Sequence, residues 1–344
     1  MRLTDNELIE AVKTRNSHDT AKACAEALGI SPPLLAYRLE QAKIRVPEYF
    51  DYSEPVDGFS VPDLPDGEMP TDELIEFMTS RYNKRRDAKD ARHIIPVKMK
   101  DNKPVGLQFF GDPHVDSPQC NWPELRRCVA IIKRTEGLRG VSLGDHVDNW
   151  IGRLQREYAK ANATADQAWQ LADWFIKEIN PLLIIRGNHD AWSGHGDPLK
   201  YIRGVGNLYE QWKAIIELQF PNGRSAILDI AHDHSGQSMY HPLQGQLKTA
   251  RFYKSPADLI ISGHRHTWGM MNTEMQNRVV WMCRARGFKD HGEYEVVKGF
   301  EEQRLGHCIT AVFDPEAETE TGFINCFAEP TSGAEYLTYL RGSK

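Results

Sequence analysis

Residues 105–114 read Val-Gly-Leu-Gln-Phe-Phe-Gly-Asp-Pro-His: an apolar strand, then a glycine, then a carboxylate and an imidazole two positions apart. The same phrasing returns along the chain. The apolar run 138–143 leads into Gly144-Asp145-His146-Val147-Asp148-Asn149, and 182–185 into Arg186-Gly187-Asn188-His189-Asp190. The run 226–231 leads into His232-Asp233-His234, and 259–261 into Gly263-His264-Arg265-His266. Each of five predicted strands thus delivers oxygen or nitrogen donors at its C-terminal end. In open α/β sheets that edge is where ligands bind. A glycine at the turns lets the backbone bend sharply as it leaves the strand.

Between and beyond these strands the pattern predicts helices at 122–134 and 165–179 and further strands at 279–282 and 309–313. Strands separated by helices point to a layered α/β domain. The donor inventory holds carboxylate, amide and imidazole but no thiolate, which favours Mn, Fe, Zn or Mg and disfavours a cysteine-based zinc site. It also exceeds what one ion takes, roughly four to six ligands including water. A carboxylate shared by two ions ~3.5–4 Å apart accounts for the number, and such a pair clamps the attacking and leaving oxygens of an in-line displacement.

The whole chain is that of an ordinary globular protein: 344 residues, 40% hydrophobic, 26% charged, net charge -6. A mildly acidic balance excludes a chain whose main business is non-specific nucleic-acid binding, although it permits a local basic surface. The charged start cannot be a signal-peptide core, and no apolar run reaches the ~20 residues needed to span a bilayer. Six scattered cysteines without a CxxC pair suggest reduced thiols in the cytoplasm.

The first 46 residues read as three short helices. Thr4 with Glu7 makes a capping box. Ala21, Cys24, Ala25 and Leu28 fall on one helical face, and Gly29 then breaks the helix. Ser31 with Pro32 opens a third helix whose stripe is Leu35, Leu39 and Ala42. The stretch 20–44 resembles the helix-turn-helix of DNA-binding regulators, which implies a recognition helix exposing Tyr37 and Arg38. Seven Lys/Arg against six acidic residues make this module barely positive, so docking or assembly is its other reading. Prolines and acidic residues mark about 47–70 as a tether, followed by a charged helix over 71–92. The expected organisation is therefore a helix-turn-helix-like module at 1–46, a linker and charged helix at 47–93, and the α/β domain at 94–344. The segment from about 286, with Lys289, His291, Glu293 and Tyr294, is expected to cap the active site or support a dimer.

The five motifs, in order, resemble the signature of the calcineurin-like metallophosphoesterase family, D-x-H, G-D-x-x-D, G-N-H-D/E, H and G-H-x-H, over about 105–270. That resemblance implies an αββα sandwich with two divalent ions, manganese first among them. It implies Asp112, His114 and His266 on the first ion, Asp145 as bridge, and Asn188, His232 and His264 on the second. His189 matches the family's catalytic histidine, which is not a ligand, and Asp148 the partner that orients it, with Asp190 as the alternative. Spacing leaves both His232 and His234 open; the family ligand usually follows the strand directly, which favours His232. His146 and Arg265 are expected to meet the substrate. His18, His93, His195, His241, His291 and His307 are read as surface or structural residues.

The implied activity is metal-dependent hydrolysis of a P–O bond. Asn149-Trp150 and Asp190 stand where phosphoprotein phosphatases of the family carry Arg-Gly and Glu, which argues against that branch. The N-terminal module favours DNA as substrate, and its fusion to "FFGDPHVD" resembles uncharacterised phage and prophage phosphoesterases. The alternatives are a phosphomonoesterase or small-molecule phosphodiesterase docked by that module, and a DNA-binding regulator with a non-catalytic metal domain. The sequence does not fix an oligomeric state.

Overall fold

The computed structural model describes residues 3–50, 67–290 and 303–342, apart from positions 193, 195, 203, 205, 206, 239 and 276. Most of the expected tether, His195, and His291, Glu293 and Tyr294 lie outside the described residues. The chain divides into two compact units, Met1–Glu76 and Phe77–Lys344, so the second half of the charged helix belongs with the larger unit.

In the smaller unit α1 spans Asp5–Asn16, α2 Ala21–Ala27 and α3 Pro32–Arg45. The capping box at Thr4 is formed in both directions, with Glu7 accepting from the Thr4 amide at 2.8 Å. Ser31 stands at the N-cap of α3 without a side-chain bond, and Pro32 supplies the pre-set φ that starts the helix. The core is small: Leu8, Val12, Ala42 and Val46 in one cluster, and Ala11, Cys24, Ala25 and Leu35 in the other. Gly29 at φ +62 ends α2 in the left-handed conformation that glycine adopts without penalty. The expected pair of exposed side chains on α3 is corrected here. Tyr37 is 52% exposed, but the Arg38 side chain is only 14% exposed and folds back to Glu7 at 3.3 Å. Helix α4, Thr71–Asp90, follows with every side chain exposed.

Among the described residues the larger unit contains twelve strands in two six-stranded sheets, β1-β6-β7-β8-β10-β9 and β12-β11-β2-β3-β4-β5. The strands are β1 Ile95–Lys98, β2 Val105–Phe110, β3 Leu138–Ser142, β4 Pro181–Ile185, β5 Leu208–Glu210 and β6 Lys213–Gln219. They continue with β7 Ser225–Ala231, β8 Leu259–Ser262, β9 Gly269–Met275, β10 Arg278–Arg284, β11 Cys308–Phe313 and β12 Ile324–Phe327. Inward residues of both sheets meet in one core: Leu107, Phe109, Val141 and Ile185 from one, Ile216, Leu228, Ile230 and Ile261 from the other. Full burial of each such side chain is worth roughly 1.5–3 kcal/mol.

Strand alternation sends the intervening residues outward. Phe110, Ile184 and Val312 pack under helices α5 (Trp122–Arg134), α6 (Ala165–Glu178) and the closing helix Pro330–Gly342. Ile260, Val280 and Met282 pack on the other side with Leu243 and Ala250, the latter on the helix Gln244–Arg251. The result is the expected helix–sheet–sheet–helix sandwich. Strands β2, β3 and β4 are parallel neighbours, as are β7 and β8. Their C-terminal ends therefore emerge along common edges, which is what gathers five distant motifs. Of the strands the sequence pattern did not mark, β6 and β9 have seven residues each, while β1, β5 and β12 have three or four. The latter three are too short for a period-two signal to stand out.

Candidate metal centre

The turns after the strands are bent hard. His114, Asp145, Asn149, His264 and His266 all have positive φ, between 39 and 70 degrees. Non-glycine residues in that region cost of order 1–3 kcal/mol each and persist where the surroundings over-determine them. Glycines make room for the bends. A Cβ on Gly144 would fall 2.5 Å from the Gly187 nitrogen, and one on Gly263 would fall 2.6 Å from Asp112 Oδ1.

One donor group surrounds Asp145 and another surrounds Asp112. Around Asp145 Oδ2 stand His232 Nε2 at 3.3 Å and His264 Nδ1 at 3.9 Å. Asn188 Oδ1 lies 3.0 Å from His232 Nε2. His232 donates Nδ1–H to the Leu143 carbonyl at 2.7 Å, which leaves the Nε2 lone pair aimed inward. Asp112, His114 and His266 form the second group, with His266 Nε2 3.2 Å from Asp112 Oδ2. His114 Nδ1 lies 2.8 Å from the Asp148 carboxylate, so its Nε2 also faces inward. His232 stands in the cluster, whereas His234 turns away to Asp229 at 3.0 Å.

The electrostatics match a cation pocket. Burial alone would raise the Asp145 carboxyl, but His232, His264 and His189 outweigh it and hold it well below the usual range. His232 shows the counterpart: burial opposes its charge, yet Asp145 and Asp112 push it up to about 9. Asp112 Oδ2 and His114 Nε2 are buried with no hydrogen-bond partner among the described residues. Orphaned polar atoms of that kind need explanation, and divalent ions held by these oxygen and nitrogen donors would supply it.

His189 stands beside both groups. Its backbone amide donates to Asp145 Oδ1 at 2.9 Å, and its Nδ1–H to the main-chain carbonyl of Asp148 at 2.5 Å. Its Nε2 lies 3.8 Å from Asp145 Oδ2. Burial and the neighbouring His114 lower it to about 4, despite the opposing carboxylates. Asp148 therefore meets His189 through its backbone, while its carboxylate serves His114 and lies 3.7 Å from Lys289 Nζ.

Asp190 does not reach the His189 ring. Its wholly buried carboxylate accepts from the amides of Asp145, His146 and Gly187 at 2.8–3.0 Å and so ties two motif turns together. The expectation that His146 meets substrate is corrected by the same network. His146 is fully buried, with Nδ1 at Asp190 and Nε2 2.7 Å from Ser142 Oγ. It is a turn brace with no face toward a ligand. Arg265 is half-buried and already engaged, its Nε donating to Asp233 at 3.0 Å.

Three residues near the centre escaped the sequence reading as site residues, Trp150, Trp192 and Trp212, and a fourth, Lys289, was expected only within a segment that caps the active site or supports a dimer. Trp150 and Trp192 follow the second and third motifs almost directly, a signal that was available. Lys289 arrives from a distant segment, held by a bridge to Cys120.

The family described as calcineurin-like phosphoesterase matches residues 108–268, the span holding every residue of the two donor groups. No curated protein sequence matches the chain. Among solved structures, the chain is similar to the calcineurin-like phosphoesterase YfkN from Bacillus subtilis, at 14% identity over 70% of this chain and 96% of that one, TM-score 0.33. It is also similar to a protein of unknown function from Aquifex aeolicus, at 17% identity over 47% and 80% of the two chains, TM-score 0.28. A predicted phosphoesterase from Streptococcus pneumoniae aligns at 10% identity over 66% and 98%, TM-score 0.29. The assignment rests on the family match. No helix among the described residues is long and apolar enough to cross a membrane.

Proposed function

We propose that this chain, whose residues 108–268 are a calcineurin-like phosphoesterase domain and hence a metal-dependent hydrolase, cleaves phosphodiester bonds of DNA. The observation that carries the hydrolytic reading is the chain of three overlapping donor groups, Asp112–His114–His266, His114–Asp145–His189 and Asp145–His232–His264, linked through His114 and Asp145. Asp112, His114 and His266 would hold one divalent ion, and Asn188, His232 and His264 the other, with Asp145 between them. Manganese suits this mix of imidazole, amide and carboxylate. When bound, such ions supply charge neutralisation for the phosphoester and activation of the attacking water.

The chain's own residues do the rest. Asp148 and Leu143 fix the His114 and His232 rings through Nδ1, so each presents Nε2 inward. His189 is anchored through its amide and its Nδ1, which leaves Nε2 on the side of the donor groups, 3.8 Å from Asp145 Oδ2. An anionic phosphoester beside that ring favours its protonated form, and the protonated Nε2 donates to the leaving oxygen. Lys289 adds a positive charge next to Asp148, on the side where a phosphate would approach.

DNA is favoured as substrate by the three-helix N-terminal unit, whose third helix presents Tyr37 to solvent. The basic residues between Arg81 and Lys89 on α4 offer further phosphate contacts. Six cysteines, all buried and unpaired, suit a reducing compartment such as the cytoplasm. The test is turnover by the manganese-loaded full chain of a chromogenic phosphodiester, a phosphomonoester, and single- and double-stranded DNA. Hydrolysis of DNA and the diester is expected. Turnover of the monoester alone would overturn the nuclease reading, and tight DNA binding without any turnover would overturn the enzyme reading.

A further inference from the structure

Three of the chain's eight tryptophans stand around the metal centre. The Trp192 ring lies 3.8 Å from that of His189, inclined by 32 degrees. Trp150 lies 5.2 Å from His189 and 6.2 Å from Trp192. Beside the other donor group, Trp212 lies 5.0 Å from His232 and 6.3 Å from His264 and is 44% exposed. Lys289 Nζ sits 5.0 Å over the Trp150 ring.

These indoles have no packing task in the described core. Trp122, Trp169, Trp174 and Trp281 join the hydrophobic clusters, whereas Trp150, Trp192 and Trp212 join none; Trp268 also joins none and lies against Gly306. A large apolar ring left half-exposed at a charged centre forgoes the burial that normally stabilises tryptophan. Holding His189 in place does not explain them, because two hydrogen bonds already do so and Trp212 is not among its ring contacts. What does suit flat, sequence-neutral π-surfaces flanking a phosphoester site is a planar heteroaromatic ring. Stacking of that kind tolerates any base.

We propose that Trp150 and Trp192 wall a nucleobase subsite on the His189 side, seating the base of the leaving nucleoside, and that Trp212 offers a second stacking face beside His232 and His264. The subsite makes the enzyme select nucleoside-bearing phosphoesters over base-free ones. Lys289, between the Trp150 ring and Asp148, places the positive charge where the ring system joins the phosphate. The proposal rests on the phosphodiester reading for its orientation, while the stacking surface itself is independent of turnover.

The test compares 5′-AMP with ribose 5-phosphate on the manganese-loaded full chain, by quenching of tryptophan fluorescence and by calorimetric titration. AMP is expected to bind ~10-fold more tightly and to quench, as one stacked base would produce. In a Trp150→Leu/Trp192→Leu variant the two ligands should converge in affinity, and the Trp150→Phe/Trp192→Phe variant should restore most of the preference. Because the phenyl rings keep the fold's apolar volume, the second variant answers the question if the first does not fold. Equal affinity of the wild type for both ligands, or a preference surviving in the leucine variant, overturns the proposal. Dinucleotide turnover separates the two readings. An AMP preference without any turnover sinks the diesterase and leaves the subsite standing, whereas turnover without an AMP preference does the reverse.

Discussion

The Asp148 carboxylate lies 2.8 Å from His114 Nδ1, while its main-chain carbonyl takes the Nδ1 proton of His189 at 2.5 Å. One residue thus positions two histidines by different groups, and only one of them depends on its side chain. Carboxylate partners of ligating histidines commonly contribute 10–100-fold to metal affinity. Asp148→Asn is therefore expected to weaken the first ion by about that factor while leaving the second ion bound, as read by metal titration. Unchanged affinity at both ions with a collapse of kcat would show that the carboxylate acts on His189 after all.

His189→Ala removes the proton donor and no ligand of either group. Turnover should fall by about 10²–10⁴-fold, the usual contribution of a positioned acid. Elemental analysis should still find two ions per chain. A variant holding only one ion would place His189 among the ligands, a position its 3.8 Å approach to Asp145 Oδ2 makes geometrically accessible.

Gly187 has no room for a side chain, since a Cβ there would run into both the Asp145 carboxylate and the Asp145 backbone nitrogen. Gly187→Ala is expected to lose metal and to unfold at a markedly lower temperature. The cost should be of order 1–3 kcal/mol, the range of overpacking in a filled site. Gly67 and Gly342 meet nothing within 4 Å, and alanine at either should leave thermal unfolding within about 0.5 kcal/mol of wild type.

Asp229 carries a pH signature away from the metal donors. Burial would raise its carboxyl, but His234 at 3.0 Å and Lys213 at 2.7 Å outweigh burial and lower it. A carboxyl whose folded pKa is depressed stabilises the fold above its unfolded value near 4, and that contribution disappears as pH falls through the folded value. Asp229→Asn should therefore cost roughly 2 kcal/mol at pH 7, the scale of charge-assisted hydrogen bonds. Denaturant unfolding should show wild type and variant converging below about pH 4. A gap that stays constant down to pH 3 would assign the loss to packing instead.

The charge pattern of Arg38 shows where local reading stops. Sequence placed it on the outer face of a recognition helix, and the helix is there, at Pro32–Arg45. Yet Glu7, thirty-one positions away, draws the guanidinium back across the bundle. Helical periodicity fixes which face a Cβ leaves from; where a long flexible side chain ends depends on a partner that periodicity does not contain.

Strand β2 and helix α5 emerge with the very bounds the apolar pattern predicted, Val105–Phe110 and Trp122–Arg134. Burial of alternate residues and a helical stripe are local properties, written in the spacing of apolar side chains.

In the stretch 105–114 and its four counterparts the sequence by itself determined the chemistry: five strands that leave carboxylate, amide or imidazole donors at their ends, with glycine at four of the turns. The α/β layering follows from the same spacing. Only the tertiary structure decided direction. It turned His234 to Asp229 while His232 stayed with Asp145, buried His146 between Ser142 and Asp190, and gave Asp148 its divided task. It also brought Lys289 and three tryptophans to the centre. The physical reason is that donor type and spacing are properties of the chain. The heading of each side chain after a left-handed turn is set by the packing of strands that lie far apart in sequence.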